Sequence, residues 1–296
     1  MTQKKPLIVA VAGNPNAGKS TLINAIAGSR LHVGNWPGVT VEKKEALFDV
    51  EGRTIQLVDL PGCYSLSPYT QEEIITRDYL VTEKPDLIIN VVDATNLERN
   101  LYLTIQLLEL GIPMIMALNI HDEAVAKGYK INTRQMEETL GISVIPTSAT
   151  KKTGLDQLLK AMVAENRTQP RTLSYGEDVE TALTGLRDHV QSELASLMEK
   201  FPQRWLLLKL LEGDKLVLKS VNVMPDTLPQ QLFEHLHRAH GDDVEGLLAD
   251  TRYGLATGLS HEVLKKPEKR NIEMTERIDR IVLNRFMGIP VFAAAM

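Results

Sequence analysis

Four apolar runs punctuate the first half of the chain: Leu7–Gly13, Asp86–Asp93, Ile112–Asn119 and Ile142–Thr147. Each is nearly continuous in hydrophobicity, the pattern of strands covered on both faces of a parallel sheet. Helical spacing fills the gaps, as in Thr21–Ala27 and in Leu97–Leu110, where Leu101, Ile105 and Leu108 share one face. Ala46–Val50 and Thr54–Asp59 flank Glu51-Gly52, a turn signal that adds one antiparallel edge strand. The pattern therefore predicts a doubly wound α/β fold, a mostly parallel six-stranded sheet with one antiparallel edge strand.

The character changes after Glu165. Asn166–Gly176 is polar and reads as a linker, and helical patterns dominate from Asp178 to Arg280, so a small all-α domain follows the sheet. The final stretch, Arg285–Met296, is apolar but too short to cross a bilayer. From the run alone it is either a packed segment or the opening of a membrane helix. A chain of 296 residues fits one large and one small domain. Its 43% hydrophobic content excludes wholesale disorder, and its net charge of −5 argues against a broadly basic nucleic-acid binder. The single cysteine, Cys63, allows no intramolecular disulfide and no CxxC zinc site, which suits a reducing cytosol. Leu7–Gly13 is too short for a secretory signal and reads as the first strand.

Chemistry concentrates at the strand ends. Gly13-Asn14-Pro15-Asn16-Ala17-Gly18-Lys19-Ser20 matches GxxxxGK[ST] between the first strand and the helix that begins near Thr21. Its backbone amides and helix N-terminus suit the β- and γ-phosphates of a nucleotide; Lys19 neutralises them and Ser20 offers a hydroxyl to magnesium. Asn119-Ile120-His121-Asp122 ends a later strand. The Asp122 carboxylate suits the paired donors of guanine, and Asn119 would tie this loop to the phosphate loop. Asp59-Leu60-Pro61-Gly62 supplies a carboxylate for magnesium and an amide that senses a γ-phosphate. In Gly38-Val39-Thr40, Thr40 is the loop threonine that would complete the magnesium shell. Ser148-Ala149-Thr150 is placed to meet the guanine carbonyl with backbone amides. Cys63 stands where Ras-type GTPases orient water with glutamine, so slow intrinsic hydrolysis or an alternative catalytic device is expected, with Cys63 as a small packing residue. Arg77 is the nearest arginine but lies well along the next helix. His235, His237 and His240 do not converge as metal ligands at helical spacing, and Lys265, Lys266, Lys269 and Arg270 form a basic run.

The segments GNPNAGKST, VGNWPGVTVEKKE, VDLPGCYSLSPYT, VVDATNLERNLYLTIQLLELGIPMIMALN and LNRFMGIPVF together resemble bacterial ferrous iron transport protein B. The resemblance implies a P-loop GTPase fold for 1–166, a helical guanine-nucleotide-dissociation-inhibitor domain for 167–276, and a juxtamembrane segment with the severed start of a membrane helix for 277–296. It implies GTP and GDP as ligands with magnesium and an activating potassium ion, the latter held by Asn16 and by carbonyls of the Gly34-Asn35-Trp36 loop. Implied partners are a C-terminal membrane domain, the small ferrous iron transport protein A and a second copy of the chain, with no nucleic acid. The implied location is the cytoplasmic face of the bacterial inner membrane. Departures from the usual base-reading lysine (Ile120) and catalytic glutamine (Cys63) are compatible with that family. A free-standing GTPase assisting ribosome or tRNA maturation is the alternative, disfavoured by the acidic charge and the aromatic-poor helical half.

Overall fold

The computed structural model describes residues 5–267, apart from 68, 166–168, 194–196, 198–199, 225–226 and 241–242. The basic run beyond 267 and the membrane-helix start expected at 286–296 lie outside the described residues.

A seven-stranded sheet carries the first half, in the order β2-β3-β4-β1-β5-β6-β8. Its strands are β1 (Leu7–Gly13), β2 (Leu31–Asn35), β3 (Glu42–Val50), β4 (Arg53–Asp59), β5 (Leu87–Asp93), β6 (Met114–Asn119) and β8 (Ser143–Pro146); a two-residue strand, β7 (Lys130–Ile131), lies outside it. β4, β1, β5, β6 and β8 pair in parallel, whereas β3 runs antiparallel to both β4 and β2. The mostly parallel sheet with an antiparallel edge is as expected, but it has one strand more than six. The additional strand is β2, which forms the edge beyond β3 and is almost wholly exposed, so no apolar alternation announces it. The β3–β4 hairpin turns at Glu51 (φ 48) and Gly52 (φ 79), both left-handed, as a two-residue type I′ turn requires.

Period-two alternation divides the parallel strands between two apolar layers. Leu7, Val9 and Val11 of β1 face α1 (Lys19–Ala27) and α6 (Leu155–Val163), and Leu22, Ile23 and Leu158 close that layer. Ala10 and Ala12, with Ile88 and Val92 of β5 and Met116 and Leu118 of β6, face the opposite layer of α2 (Gln71–Thr82), α3 (Leu97–Glu109) and α5 (Thr133–Leu140). α4 (His121–Ala126) follows β6 at the strand ends. A Thr70–Glu73 capping box fixes the start of α2.

Among the described residues the helical half contains α7 (Glu177–Glu193), α8 (Gln203–Glu212), α9 (Lys215–Val221), α10 (Gln230–His240) and α11 (Val244–Val263). Its apolar residues, including Leu186, Trp205, Leu208 and Leu248, belong to the same cluster as the α2/α3 layer of the sheet. α3 explains the continuity. It is buried along most of its length because the sheet covers one side and α11 the other. No helix among the described residues is long and apolar enough to cross a membrane.

Candidate nucleotide-binding site

Residues 13–20 turn the chain from β1 into α1, and their backbone leaves little choice of residue. A Cβ on Gly13 would stand 2.6 Å from the Val91 carbonyl oxygen. Gly18 has φ 80, and a Cβ there would meet the Asn119 amide at 2.3 Å, so the loop passes too close to the base-side loop for any side chain. Asn16 also sits at positive φ (66), a conformation asparagine tolerates better than most residues. The resulting cleft is lined by Asn14, Pro15, Asn16, Gly18, Lys19, Ser20, Thr21 and Gly62. The N-terminus of α1 opens into it, so amide donors and the positive helix end favour an anion.

Asp59 ends β4 beside this loop, and its carboxylate accepts a hydrogen bond from Lys19 Nζ. Burial pushes the Asp59 carboxyl above its ordinary range, and the Lys19 charge opposes that shift without cancelling it. The segment after β4 prolongs the alignment with β1. The Leu60 N–H donates to Val11 O at 3.0 Å and the Cys63 N–H to Gly13 O at 3.3 Å, which lays Pro61-Gly62 along the phosphate loop with Gly62 against Pro15. Ser20 and Asp59 form an oxygen-only donor set, which fits a hard divalent cation such as magnesium. Cys63 itself is buried among apolar side chains at 2% exposure, and burial pushes its thiol up to about 12.

Asn119 joins the phosphate loop to the base side. Its Nδ2 donates to Ala17 O at 3.0 Å, while its Oδ1 accepts from the Ala149 N–H at 3.2 Å and from the Thr147 hydroxyl at 3.4 Å. The tie expected of Asn119 is therefore present. Ile120 follows at φ 57, a left-handed conformation that is strained for a β-branched side chain, and it turns the chain directly into α4. The His121 N–H donates to Thr147 O at 3.2 Å, which closes the rim from the other side. Asp122 stands in the first turn of α4, half-buried, with both neighbouring loops fixed around it.

The Ser148–Thr150 loop is in place, but two of its amides are engaged within the rim. The Ser148 N–H donates to Thr153 O at 3.1 Å and the Ala149 N–H to Asn119 Oδ1 at 3.2 Å. One residue escaped the sequence reading: Lys151, whose Nζ lies 2.9 Å from Asp122 Oδ2. A lysine directly after Ser148-Ala149-Thr150, in a chain whose base-reading motif lacks one, was the available signal.

The loop between β2 and β3 lies apart from the cleft wall. Thr40 is exposed, Gly34 is part of β2, and neither lines the cleft. Trp36 is buried edge-on against Tyr79 of α2, with its ring centroid 5.4 Å away, and the Lys43 ammonium sits 5.3 Å from the indole. Its carbonyl accepts from the Val39 N–H at 3.3 Å, and its N–H donates to Val41 O at 2.9 Å, so Gly38 (φ 75) and Val39 form a closed turn. Of the residues read as potassium ligands, Asn16 lines the cleft and Gly34 and Trp36 do not. Arg77 does not line the cleft; it is buried, bonded to Asp78 at 2.9 Å and 3.7 Å from Asp214 of the helical half. Among the described residues no group of three or more His, Cys, Asp or Glu could hold a metal ion.

Comparison with known proteins agrees with this geometry. The family model of ferrous iron transport protein B matches residues 7–162, and that of the FeoB cytosolic helical domain matches 175–265. An Fe(2+) transport protein A/Fe(2+) transporter FeoB fusion protein of Porphyromonas gingivalis is 40% identical over 97% of this chain, and the Fe(2+) transporter FeoB of Salmonella typhimurium is 38% identical over 99%. The chain spans 36% and 38% of the length of these two relatives. The cytosolic domain of the T. maritima FeoB iron transporter, in its GMPPNP form, is 35% identical and superposes with a TM-score of 0.77 over 88% of this chain and 100% of that one. With a G-domain model matching more than half its length and a helical-domain model matching much of the rest, the chain belongs to the ferrous iron transport protein B family.

Proposed function

We propose that this chain is the GTP-binding and GTP-hydrolysing cytosolic region of a bacterial Fe(II) uptake transporter, with slow, potassium-stimulated turnover that regulates iron passage. The observation that carries the reading is the Asn119 junction. One side chain grips Ala17 of the phosphate loop and the Ala149 amide, so the anion cleft and the Asp122 carboxylate are held at a fixed spacing, as a nucleotide with a phosphate tail and a guanine head requires. The T. maritima relative solved with GMPPNP supports the same ligand class.

In this reading the amides of 13–20 and Lys19 hold the phosphates, and Asp122 accepts from the guanine N1–H and exocyclic amine. Ser20 and Asp59, with Thr40 from the β2–β3 loop, would hold magnesium, which supplies charge neutralisation at the phosphates. Lys19 and Asp59, paired with each other here, would turn to phosphate and to the divalent cation respectively when these are bound, so that neither buried charge would be left unanswered. Asn16, with carbonyls at Gly34 and Trp36, would hold potassium, which supplies positive charge toward the transferred phosphoryl in place of an arginine finger. The Gly62 amide and main chain near Thr40 orient water, since Cys63 is buried away from the cleft. Residues 1–166 form the G domain, 167–276 the helical inhibitor domain and 277–296 the approach to the membrane. The partners are the transporter's own membrane domain, ferrous iron transport protein A and a second copy, at the cytoplasmic face of the inner membrane.

Titration calorimetry with GTP and ATP tests the reading. The wild type should prefer GTP strongly, and Asp122→Ala should weaken GTP by at least ~2 kcal/mol, the scale of a charge-assisted pair left unmade. Equal affinity for the two nucleotides in the wild type would sink the guanine assignment.

A further inference from the structure

The motif that reads the base has isoleucine at position 120, yet Asp122 is not without a cation. Lys151, from the loop after β8, places its Nζ 2.9 Å from Asp122 Oδ2. The loop that presents it is rigid. Ser148 and Thr153 exchange both backbone hydrogen bonds at 3.1 Å, and the Lys151 N–H itself donates to Ser148 Oγ at 3.4 Å. Gly154 (φ 77) presses so closely on β8 that a Cβ would lie 2.2 Å from Pro146 O, and Lys152 takes φ 55 to close the turn. Asp122 is equally fixed, in the first turn of α4 and two residues after the left-handed Ile120. Two rigid loops thus meet through one ion pair.

We infer that Lys151 is a positioning residue for guanine recognition: from the opposite loop it locks the Asp122 carboxylate in the orientation that accepts both guanine donors. The inference rests on the guanine reading proposed above and adds the residue that sets its selectivity. A carboxylate oxygen has two acceptor sites, so with Lys151 on Oδ2 each oxygen keeps at least one site for the base. An unrestrained aspartate rotates about its side chain and presents both oxygens to the base only part of the time; a cation on one oxygen removes that freedom. The bond from Lys151, and after it one from Ser148, hold the Asp122 carboxyl below its ordinary range and so keep it an acceptor. The lysine side chain is 66% exposed, so the pair contributes little to folding, and its function lies in orientation.

The 2-amino group of guanine isolates this role, because hypoxanthine lacks it and bonds Asp122 through N1–H alone. Calorimetry with GDP, IDP and ADP on the wild type, Lys151→Met and Lys151→Arg makes the test. Lys151→Met should weaken GDP by roughly 3- to 5-fold, the upper range of an exposed ion pair, while IDP changes by less than about 2-fold. The GDP-over-IDP preference therefore falls, and Lys151→Arg restores it. A merely structural or long-range electrostatic role would shift GDP and IDP by one common factor, and that result overturns the proposal. So does unchanged or tighter GDP binding in Lys151→Met, the latter marking Lys151 as a competitor of the base. A wild type indifferent between GDP and ADP is a separate outcome: it removes the guanine reading itself.

Discussion

In the phosphate cleft, Lys19 and Asp59 form an ion pair at the rim of an open space. Beneath α3, Arg252 of α11 sits at the centre of a closed set: it bonds Glu109 of α3 at 2.7 Å and lies 2.6 Å from Glu212 of α8, which in turn accepts from Lys209 at 2.6 Å. The Tyr175 hydroxyl donates to Glu109 as well. Burial and contact with carboxylates push in opposite directions on Arg252, and Glu109 and Glu212 prevail, raising its pKa. In the cleft the outcome is reversed, because burial prevails over Lys19 and the Asp59 carboxyl rises. One pair lies at an open rim and is exchangeable for a ligand, whereas the other set is enclosed and joins the helical half to the sheet.

The largest effect expected from this contrast is on stability at the seam. Arg252→Met leaves two carboxylates buried without their common cation and should cost about 3–5 kcal/mol, on the order of 10 °C in melting temperature. Lys19→Ala should lower the melting temperature far less, because it removes a single contact at the rim of an open cleft, but should abolish nucleotide binding. Thermal melts and calorimetry on the two variants sharpen the comparison, and similar melting losses in both would break it. Acid gives a second view of the seam. Burial pushes the Glu212 carboxyl up, but the Arg252 and then the Lys209 charges outweigh it and hold it below its ordinary range. A depressed carboxylate contributes stability above its unfolded pKa and loses it as pH falls through the folded value. Melting temperature should therefore decline as pH drops below the ordinary glutamate range of about 4.3, and less steeply in Glu212→Gln.

The sequence made these two regions unequally legible. The phosphate loop and the base loop are local strings at strand ends, and buried parallel strands write themselves as apolar runs, so the sheet side could be read directly. β2 could not, since its residues are exposed edge positions where no covered face imposes a period. The seam was also hidden: Glu109 and Arg252 lie 143 residues apart, and nothing local distinguishes either from a solvated surface charge. Lys151 carried a local signal, its place directly after Ser148-Ala149-Thr150, but its partner Asp122 belongs to another loop and only the fold pairs the two.

A middle-sized effect separates binding from turnover within the cleft. Asn16 lines the cleft at positive φ, and in the proposed function its amide oxygen is the side-chain ligand of the monovalent cation. GTP hydrolysis should rise at least ~10-fold when potassium replaces sodium, about 1.4 kcal/mol off the barrier. Asn16→Ala should erase that stimulation with GDP affinity held within a few-fold, since an interaction made in the transition state need not appear in the ground state. Equal rates in both salts would place the cleft's whole charge balance on Lys19 and magnesium.

The smallest effect belongs to Cys63, which follows the cleft segment in sequence but faces the core in space. Its backbone N–H is bonded to Gly13 O, its side chain is buried, and burial holds the thiol protonated up to about 12. A group so placed neither orients water at a phosphate nor reacts as a thiolate. Cys63→Ser should therefore leave hydrolysis within a few-fold and lower stability by about 1 kcal/mol, the cost of a buried hydroxyl that finds a neighbour such as Thr76. Single-turnover hydrolysis and a melting curve on the same preparation check both halves. A ~100-fold loss of turnover with stability intact would assign Cys63 to the cleft rather than the core, and the contrast between exchangeable and structural positions would have to be redrawn there.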